Sequence, residues 1–279
     1  MGTSQLERLI HIMEAPDREL DLAEAALLIA REEFPNLVVS DYLGQIAHLA
    51  ANVCRRLPKE AGVGDAVFAI NEYLFDVEGY AGNHEDRHDP QNVFLNQVLD
   101  LRRGGPIALT ILYVTVGRCL GLPLQAIALP NHFLVKIAME EGSIILDPYV
   151  GGMVLDDVGL RGLLSRIYGE DVPPDLIPLL TSPAAKREVV TRMLRELKQD
   201  FVRKQRYEKA LWTSDLLLRI APEMADEVRE RAYLYERIQH TRGALTDYIH
   251  YLEMMPHARD AADVRRRIAN LRGRGFRLH

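Results

Sequence analysis

His132 and Asp147 are the residues of this chain whose types and spacing come nearest to chemistry. An imidazole held by a carboxylate is oriented, keeps one tautomer and can accept a proton near neutral pH. Three short β-branched or apolar runs, Leu124 to Leu129, His132 to Met139 and Ser143 to Tyr149, are separated by Pro130-Asn131 and Glu140-Glu141-Gly142 and read as strands. The midpoint between His132 and Asp147 falls close to the second turn, which predicts that the two are nearly opposite across a hairpin and that their side chains meet. Such a pair either ties two strands together as satisfied partners or serves a ligand. Upstream, Arg103-Gly104-Gly105-Pro106-Ile107 opens an apolar helix. The N–H groups of Ile107 and Ala108 and the positive end of the helix dipole suit a carboxylate or phosphate beside His132. Pro106 itself is favourable at the first helical position, where its φ is pre-set and its missing N–H costs nothing.

Other reactive groups offer less. Cys54 and Cys119 fall mid-helix by pattern, as buried thiols of a reducing compartment do, and neither has metal-ligand spacing. Cys54 adjoins Arg55 and Arg56, which lowers a thiol pKa, but belongs to the N-terminal helices. Thr110, one turn inside the Pro106 helix, is expected to hydrogen-bond back to a carbonyl. His84, Asp86, His88 and Asp89 have the composition of a metal site. A short loop before a helix instead predicts Asp89-Pro90 as a capped start with Asn92 tying the loop backbone, so neither metal nor cofactor is expected. Arg102 and Arg103 either guard a pocket as anion partners or cap the preceding helix.

These residues must be positioned by a globular chain: 279 residues, 48% hydrophobic and 27% charged. Without a long uncharged apolar run or a signal-like start it reads as soluble and cytoplasmic, with no membrane partner. Helical patterns at 4–14, 17–33 and 37–57, with Asp17 as a cap, make an all-α opening. Further helices are expected over 65–76 and 92–102. Residues 170–185 contain four prolines and mark a linker or a wrap over the domain surface. Beyond them the chain repeats itself at an offset of 34: Phe201 aligns with Tyr235, Arg203 with Arg237, Ala210 with Ala244, Leu218 with Leu252 and Pro222 with Pro256. That period is the tetratricopeptide signature, here two repeats with 260–272 as a capping helix, and so short an array is expected to lean on the first domain. Its tyrosines 233, 235, 248 and 251 are expected chiefly to pack between helices. Residues 1–185 hold 13 Lys/Arg against 26 Asp/Glu and residues 186–279 hold 21 against 14, a balance of −13 and +7. Acidic residues interleave the basic ones of the tail, which favours a solvated surface over a nucleic-acid partner. The domains are therefore 1–169, the segment 170–185, and a helical tail over 186–279, in an α+β chain whose helical N-terminal bundle packs on a small antiparallel sheet.

The order of Tyr80, His88-Asp89-Pro90-Gln91-Asn92, Leu95, Val98-Leu99, Arg102 to Ile107, Gly121-Leu122-Pro123, Pro130 to Val135 and Asp147 to Gly152 resembles the SirB family, nearly end to end. The resemblance implies a transglutaminase-like, papain-like core followed by tetratricopeptide repeats. In that superfamily a helix-borne cysteine attacks, a histidine takes its proton and an aspartate orients the histidine. His132 and Asp147 hold the latter two places, and Pro106 stands at the cysteine's. The family itself supplies no activity; with proline in the nucleophile's place and repeats in the tail, the expected function is a protein- or peptide-binding scaffold or regulator with a vestigial cleft at Asn92, Arg103, Gly104, Gly105, Pro106, Ile107, His132 and Asp147. The alternative is an amide hydrolase or transferase using His132 and Asp147 with another nucleophile.

Overall fold

A computed structural model of the chain describes residues 3–140 and 142–275. It divides into two compact units, Met1–Val190 and Thr191–His279. The first opens with α1 (Thr3–Glu14), α2 (Leu22–Ala30), α3 (Val39–Cys54) and α4 (Val63–Asn71). Eight of the nine residues of α2 are buried. The helix expected from Asp17 starts later because a turn on the Pro16 carbonyl intervenes and Asp21 accepts the Glu24 N–H as the cap. Asp17 instead accepts the backbone N–H of Arg187. After α4 the helix widens into a π turn over Glu72–Val77, and π turns concentrate at functional positions. Then follow β1 (Ala81–Gly82), a 3₁₀ turn over Pro90–Asn92, α5 (Leu95–Leu101) and β2 (Arg103–Gly104), which pairs in parallel with β1. The single helix expected over 92–102 is split there by the Phe94 cap.

The Pro106 helix is α6 (Pro106–Cys119). Ten of its fourteen residues are buried, and it packs on α2, α3 and α5 on one side and on the sheet on the other. A helix apolar on every face belongs inside a domain. The sheet is β3 (Leu124–Leu129), β4 (His132–Ala138), β5 (Ser143–Asp147) and β6 (Met153–Val154), antiparallel in that order. The third strand stops at Asp147 and not at Tyr149, because the Asp147 side chain accepts the Tyr149 N–H and turns the chain into a 3₁₀ turn over Pro148–Val150. The sheet's other face carries Ile127, Leu129, Leu134 and Ile145 against Leu160 and Leu164 of α7 (Asp157–Tyr168). Val172 and Ile177, the latter opening α8 (Ile177–Leu180), pack on the same cluster, and Ala184 donates its N–H to the Ala126 carbonyl at 2.8 Å.

Five helices follow: α9 (Lys186–Arg203), which crosses the boundary between the units, α10 (Tyr207–Ile220), α11 (Ala225–Arg237), α12 (Thr241–Met254) and α13 (Ala261–Gly275). The 34-residue offset is visible in the backbone. Gln205 and Gln239 both take positive φ, 56° and 59°, and Arg206 and His240 both donate back across that turn, to the carbonyls of Phe201 and Tyr235. Helices α10 and α12 start and end 34 residues apart. Tyr248 and Tyr251 sit in a core with Val228, Ala232, Ala244 and Ile268, and Tyr235 packs at its margin, whereas Tyr233 is 37% exposed. Several of the basic residues are spent on ion pairs between helices. Arg231 grips Asp247 with two nitrogens and Asp215 with a third, and Lys198 joins Glu227 and Glu230.

Glu196 supplies a pH dependence. Burial, followed by the nearby Asp200 carboxylate, pushes its carboxyl from 4.5 up to about 7, against the opposing pull of Arg192 and Arg203. A carboxyl raised in the folded state contributes stability that is complete below its unfolded value and lost as pH climbs through about 7. Thermal midpoints should therefore fall between pH 5 and pH 8, and Glu196→Gln should flatten that fall; an unchanged slope in the variant would assign it to other groups.

Candidate functional site

The His132 Nε2 atom lies 2.8 Å from Asp147 Oδ2. Their register corrects the expected opposition. Strands β4 and β5 pair Val135 with Leu146, so Asp147 falls across from Leu134 and meets His132 on the diagonal, two residues along the same face. The carboxylate is 4% exposed and the imidazole 14%. Nε2 is committed to the carboxylate, which leaves Nδ1 as the ring atom for a ligand or a proton.

Asp147 is held by its own turn. Its Oδ1 accepts the Tyr149 N–H at 3.0 Å, and its carbonyl accepts the Gly152 N–H at 2.9 Å. Asn71, the last residue of α4, bridges that turn to the core: its Nδ2 donates to the Gly152 carbonyl at 2.8 Å and its Oδ1 accepts from the fully buried Tyr113 hydroxyl at 2.9 Å. Gly152 has φ of +71°, and a Cβ there would lie 2.1 Å from Asn71 Oδ1, so only glycine fits. Nothing in the sequence around Asn71 marks it; the π turn that begins beside it is visible only in the backbone.

Tyr149 is the second residue that sequence reasoning left without a site role. Its ring stands edge-on to His132 at 6.0 Å between centroids and to His84 at 4.6 Å, with the Arg87 guanidinium 5.6 Å away. Burial pushes its hydroxyl pKa up, against the opposing pull of Arg87, and the hydroxyl donates to the Asn83 carbonyl at 2.7 Å. The signal available in sequence was its place after Asp147-Pro148.

The start of α6 joins the same structure from the other side. Gly105 caps the helix and donates its N–H to the Asn92 carbonyl at 2.8 Å. Asn92 is 4% exposed; its Nδ2 donates to the Asp86 carbonyl and its Oδ1 accepts from Asn83 Nδ2 at 2.9 Å, so it does tie the loop backbone. Asp89 caps the 3₁₀ turn with Pro90 at its first position, as expected. Gly104 pairs with Gly82 and accepts the Asn83 N–H. Asn92, Gly104, Gly105 and Pro106 are therefore one cluster, linked to His132 and Asp147 through Asn83 and Tyr149. Arg103 is exposed on β2, while Arg102 takes the left-handed C-cap of α5 and lays its side chain on Tyr80 and Glu78. Ile107 and Ala108 have no accessible surface, so a ligand over the helix start would meet Pro106 and not their N–H groups.

Two expectations about reactive groups are overturned. Thr110 does not bond back to a carbonyl; its buried hydroxyl has no hydrogen-bond partner, while Thr115 bonds to Ile111. Cys54 and Cys119 are the last residues of α3 and α6 and are exposed, because each side chain falls where its helix leaves the core. Among the described residues, no group of three or more His, Cys, Asp and Glu side chains could hold a metal ion. No helix among them is long and apolar enough to cross a membrane.

The transglutaminase-like superfamily profile matches residues 40–195, which hold all of the elements just described from α3 to β6, and a tetratricopeptide repeat profile matches residues 197–269. A UPF0162 protein of Xylella fastidiosa (strain 9a5c) is 33% identical over 265 residues, covering 94% of both chains. Protein SirB1 of Salmonella typhimurium is 25% identical, covering 89% of this chain and 91% of its own. This chain belongs to the SirB family. A crystal structure of menin, described as revealing the binding site for Mixed Lineage Leukemia (MLL) protein, aligns to this SirB-family chain at 10% identity with a TM-score of 0.38, covering 88% of it and 68% of menin.

Asn71→Ala should strand the buried Tyr113 hydroxyl and release the turn behind Asp147. The expected cost is about 1–3 kcal/mol in urea denaturation. A loss below about 0.5 kcal/mol would remove Asn71 from the support of the site.

Proposed function

We propose that this SirB-family chain is a non-catalytic protein that binds a protein or peptide segment through its tetratricopeptide-like helices and a vestigial transglutaminase-like cleft. The observation that carries the reading is Pro106 at the first position of α6, where the fold elsewhere keeps its nucleophile, in a chain that keeps a histidine–aspartate couple. A pyrrolidine ring has no lone pair to attack with and no proton to give. Neither thiol substitutes. Cys119 stands 13 residues further along the helix, about 20 Å by helical rise, and partial desolvation with the Asp21 carboxylate pushes its pKa up.

A partner of protein class is supported by the tail. Paired helices present a groove of about 370 Å³ walled by Asp215, Leu218, Arg219, Val228, Arg231 and His250. Arg231 and Lys198 are paired with carboxylates within the repeats, which supports a peptide over a nucleic acid. Two free cysteines fit action in the cytoplasm. One observation favours a second reading, an amide hydrolase or transferase with another nucleophile: the 2.8 Å couple leaves Nδ1 of His132 uncommitted, as a general base requires.

Restoring the missing sulfur separates them. In Pro106→Cys the new thiol should be alkylated by iodoacetamide faster than Cys54 or Cys119, and His132→Ala should abolish that advantage, since the couple would then be lowering the thiol pKa. The unsubstituted protein should label slowly at both native cysteines whether or not His132 is present, and should turn over no amide. A new thiol indifferent to His132 would remove the vestigial cleft from the account, and amide turnover by the unsubstituted protein, lost in His132→Ala, would establish the enzyme.

A further inference from the structure

Three side chains able to carry positive charge gather on one aromatic ring of the first unit. That ring is Tyr149, only 5% exposed, which makes it a floor. The His84 and His132 rings stand edge-on to it with centroids 4.6 and 6.0 Å away, and the Arg87 guanidinium lies 5.6 Å from its centroid. His84 and Arg87 are exposed, in the loop between β1 and the 3₁₀ turn at Pro90. The loop is anchored beneath them: the Asn83 carbonyl accepts the Tyr149 hydroxyl, and Asn83 Nδ2 donates to the buried Asn92. Arg87 donates to that same hydroxyl oxygen, which holds the guanidinium in place and leaves its other N–H groups for a ligand.

What these groups lack is an anion. Residues 1–185 carry 26 acidic side chains against 13 basic ones, so a cation in this unit has carboxylates in abundance, yet among the described residues neither Arg87 nor His84 forms an ion pair. Of the loop's other charged residues, Glu85 is exposed, while Asp86, His88 and Asp89 are already engaged, the two aspartates by the His88 and Gln91 N–H groups. His132 gives Nε2 to Asp147; its Nδ1 has no partner and is not one of the buried unpaired atoms, so it opens to solvent. A doubly protonated ring meets an anion at each nitrogen, Asp147 at Nε2 and a ligand at Nδ1. Arg87 supplies the planar fork that a carboxylate matches with two parallel hydrogen bonds.

We propose that the Tyr149 platform is a receptor for a carboxylate of the bound peptide, gripped by Arg87 together with His132 Nδ1–H and His84. On the non-catalytic reading above, on which this site rests, Asp147 holds His132 as a cation and not as a base. A peptide offers such a carboxylate at its C-terminus or on an acidic side chain.

Two probes separate the sources in titrations of the full-length ¹⁵N-labelled protein at pH 6: N-acetyl-diglycine, with a terminal carboxylate, and N-acetyl-glutamate-N-methylamide, with a side-chain one. At least one should shift the Arg87 Nε–H and Tyr149 amide signals saturably, and the tighter of the two names the source. Their neutral counterparts, N-acetyl-diglycinamide and N-acetyl-glutamine-N-methylamide, should bind at least about 5-fold more weakly, and Arg87→Gln, at an exposed position, should lose at least about 5-fold for the tighter carboxylate. Raising the pH from 6 to 8 should weaken binding; because His84 is also titratable, that fall should shrink and not vanish in His132→Gln. Should His132→Gln fail to fold, Arg87→Gln and the neutral compounds decide. No saturable shift by either carboxylate, equal binding of acid and amide, binding untouched by Arg87→Gln, or an equal pH dependence in a folded His132→Gln would overturn the site and leave the non-catalytic reading where it stood. Hydrolysis of the glutamine compound in the same samples would instead overturn that reading, while the carboxylate site would stand on the binding ratios.

Discussion

Helix α6 is buried on almost every face, and a buried helix must have its orphan amides and its flanks satisfied by protein. Much of the first unit answers to that demand. The chain leading into α6 is tied by Gly105 bonding to the Asn92 carbonyl, and Asn92 in turn is held by Asn83 and the Asp86 carbonyl. Its middle offers the Tyr113 hydroxyl, which would be stranded without Asn71. The polar residues around the site are thus largely those that allow an apolar helix to run through the middle of the domain.

The same demand orients the His132–Asp147 couple. Asn71 holds Tyr113 with one end of its amide and the Gly152 carbonyl with the other, so the turn that carries Asp147 is fixed against the central helix. Gly82 permits the opposite approach: a Cβ there would stand 2.6 Å from the Tyr149 carbonyl oxygen. Tyr149 is held between the Asn83 carbonyl and the His132 ring, which positions it against the couple.

In the tail, electrostatics work differently. A balance of +7 over 186–279 suggests an open basic surface, yet Arg231, Lys198 and Arg229 are folded into ion pairs that link neighbouring helices. Desolvated pairs of this kind contribute little net stability beside apolar packing, but removing one partner is costly, which makes them markers of register between repeats.

The sequence by itself determined the features that local periodicity and composition encode. The 34-residue repeat, down to the paired left-handed Gln205 and Gln239, follows from side chains interacting with their own neighbours. The capped Asp89-Pro90 turn, the Pro106 helix start and the antiparallel strands after it are likewise short-range, and so was the meeting of His132 with Asp147. Tertiary structure decided what depends on atoms distant in the chain. The diagonal offset of the couple follows from the β4–β5 register, the exposure of both thiols from where α3 and α6 leave the core, and the bare Thr110 hydroxyl from the packing around α6. Asn71 and Tyr149 acquire their roles across 81 and 66 residues. Buried hydrogen-bond donors and acceptors are matched in three dimensions, and a one-dimensional pattern carries no record of which distant group will take a given proton.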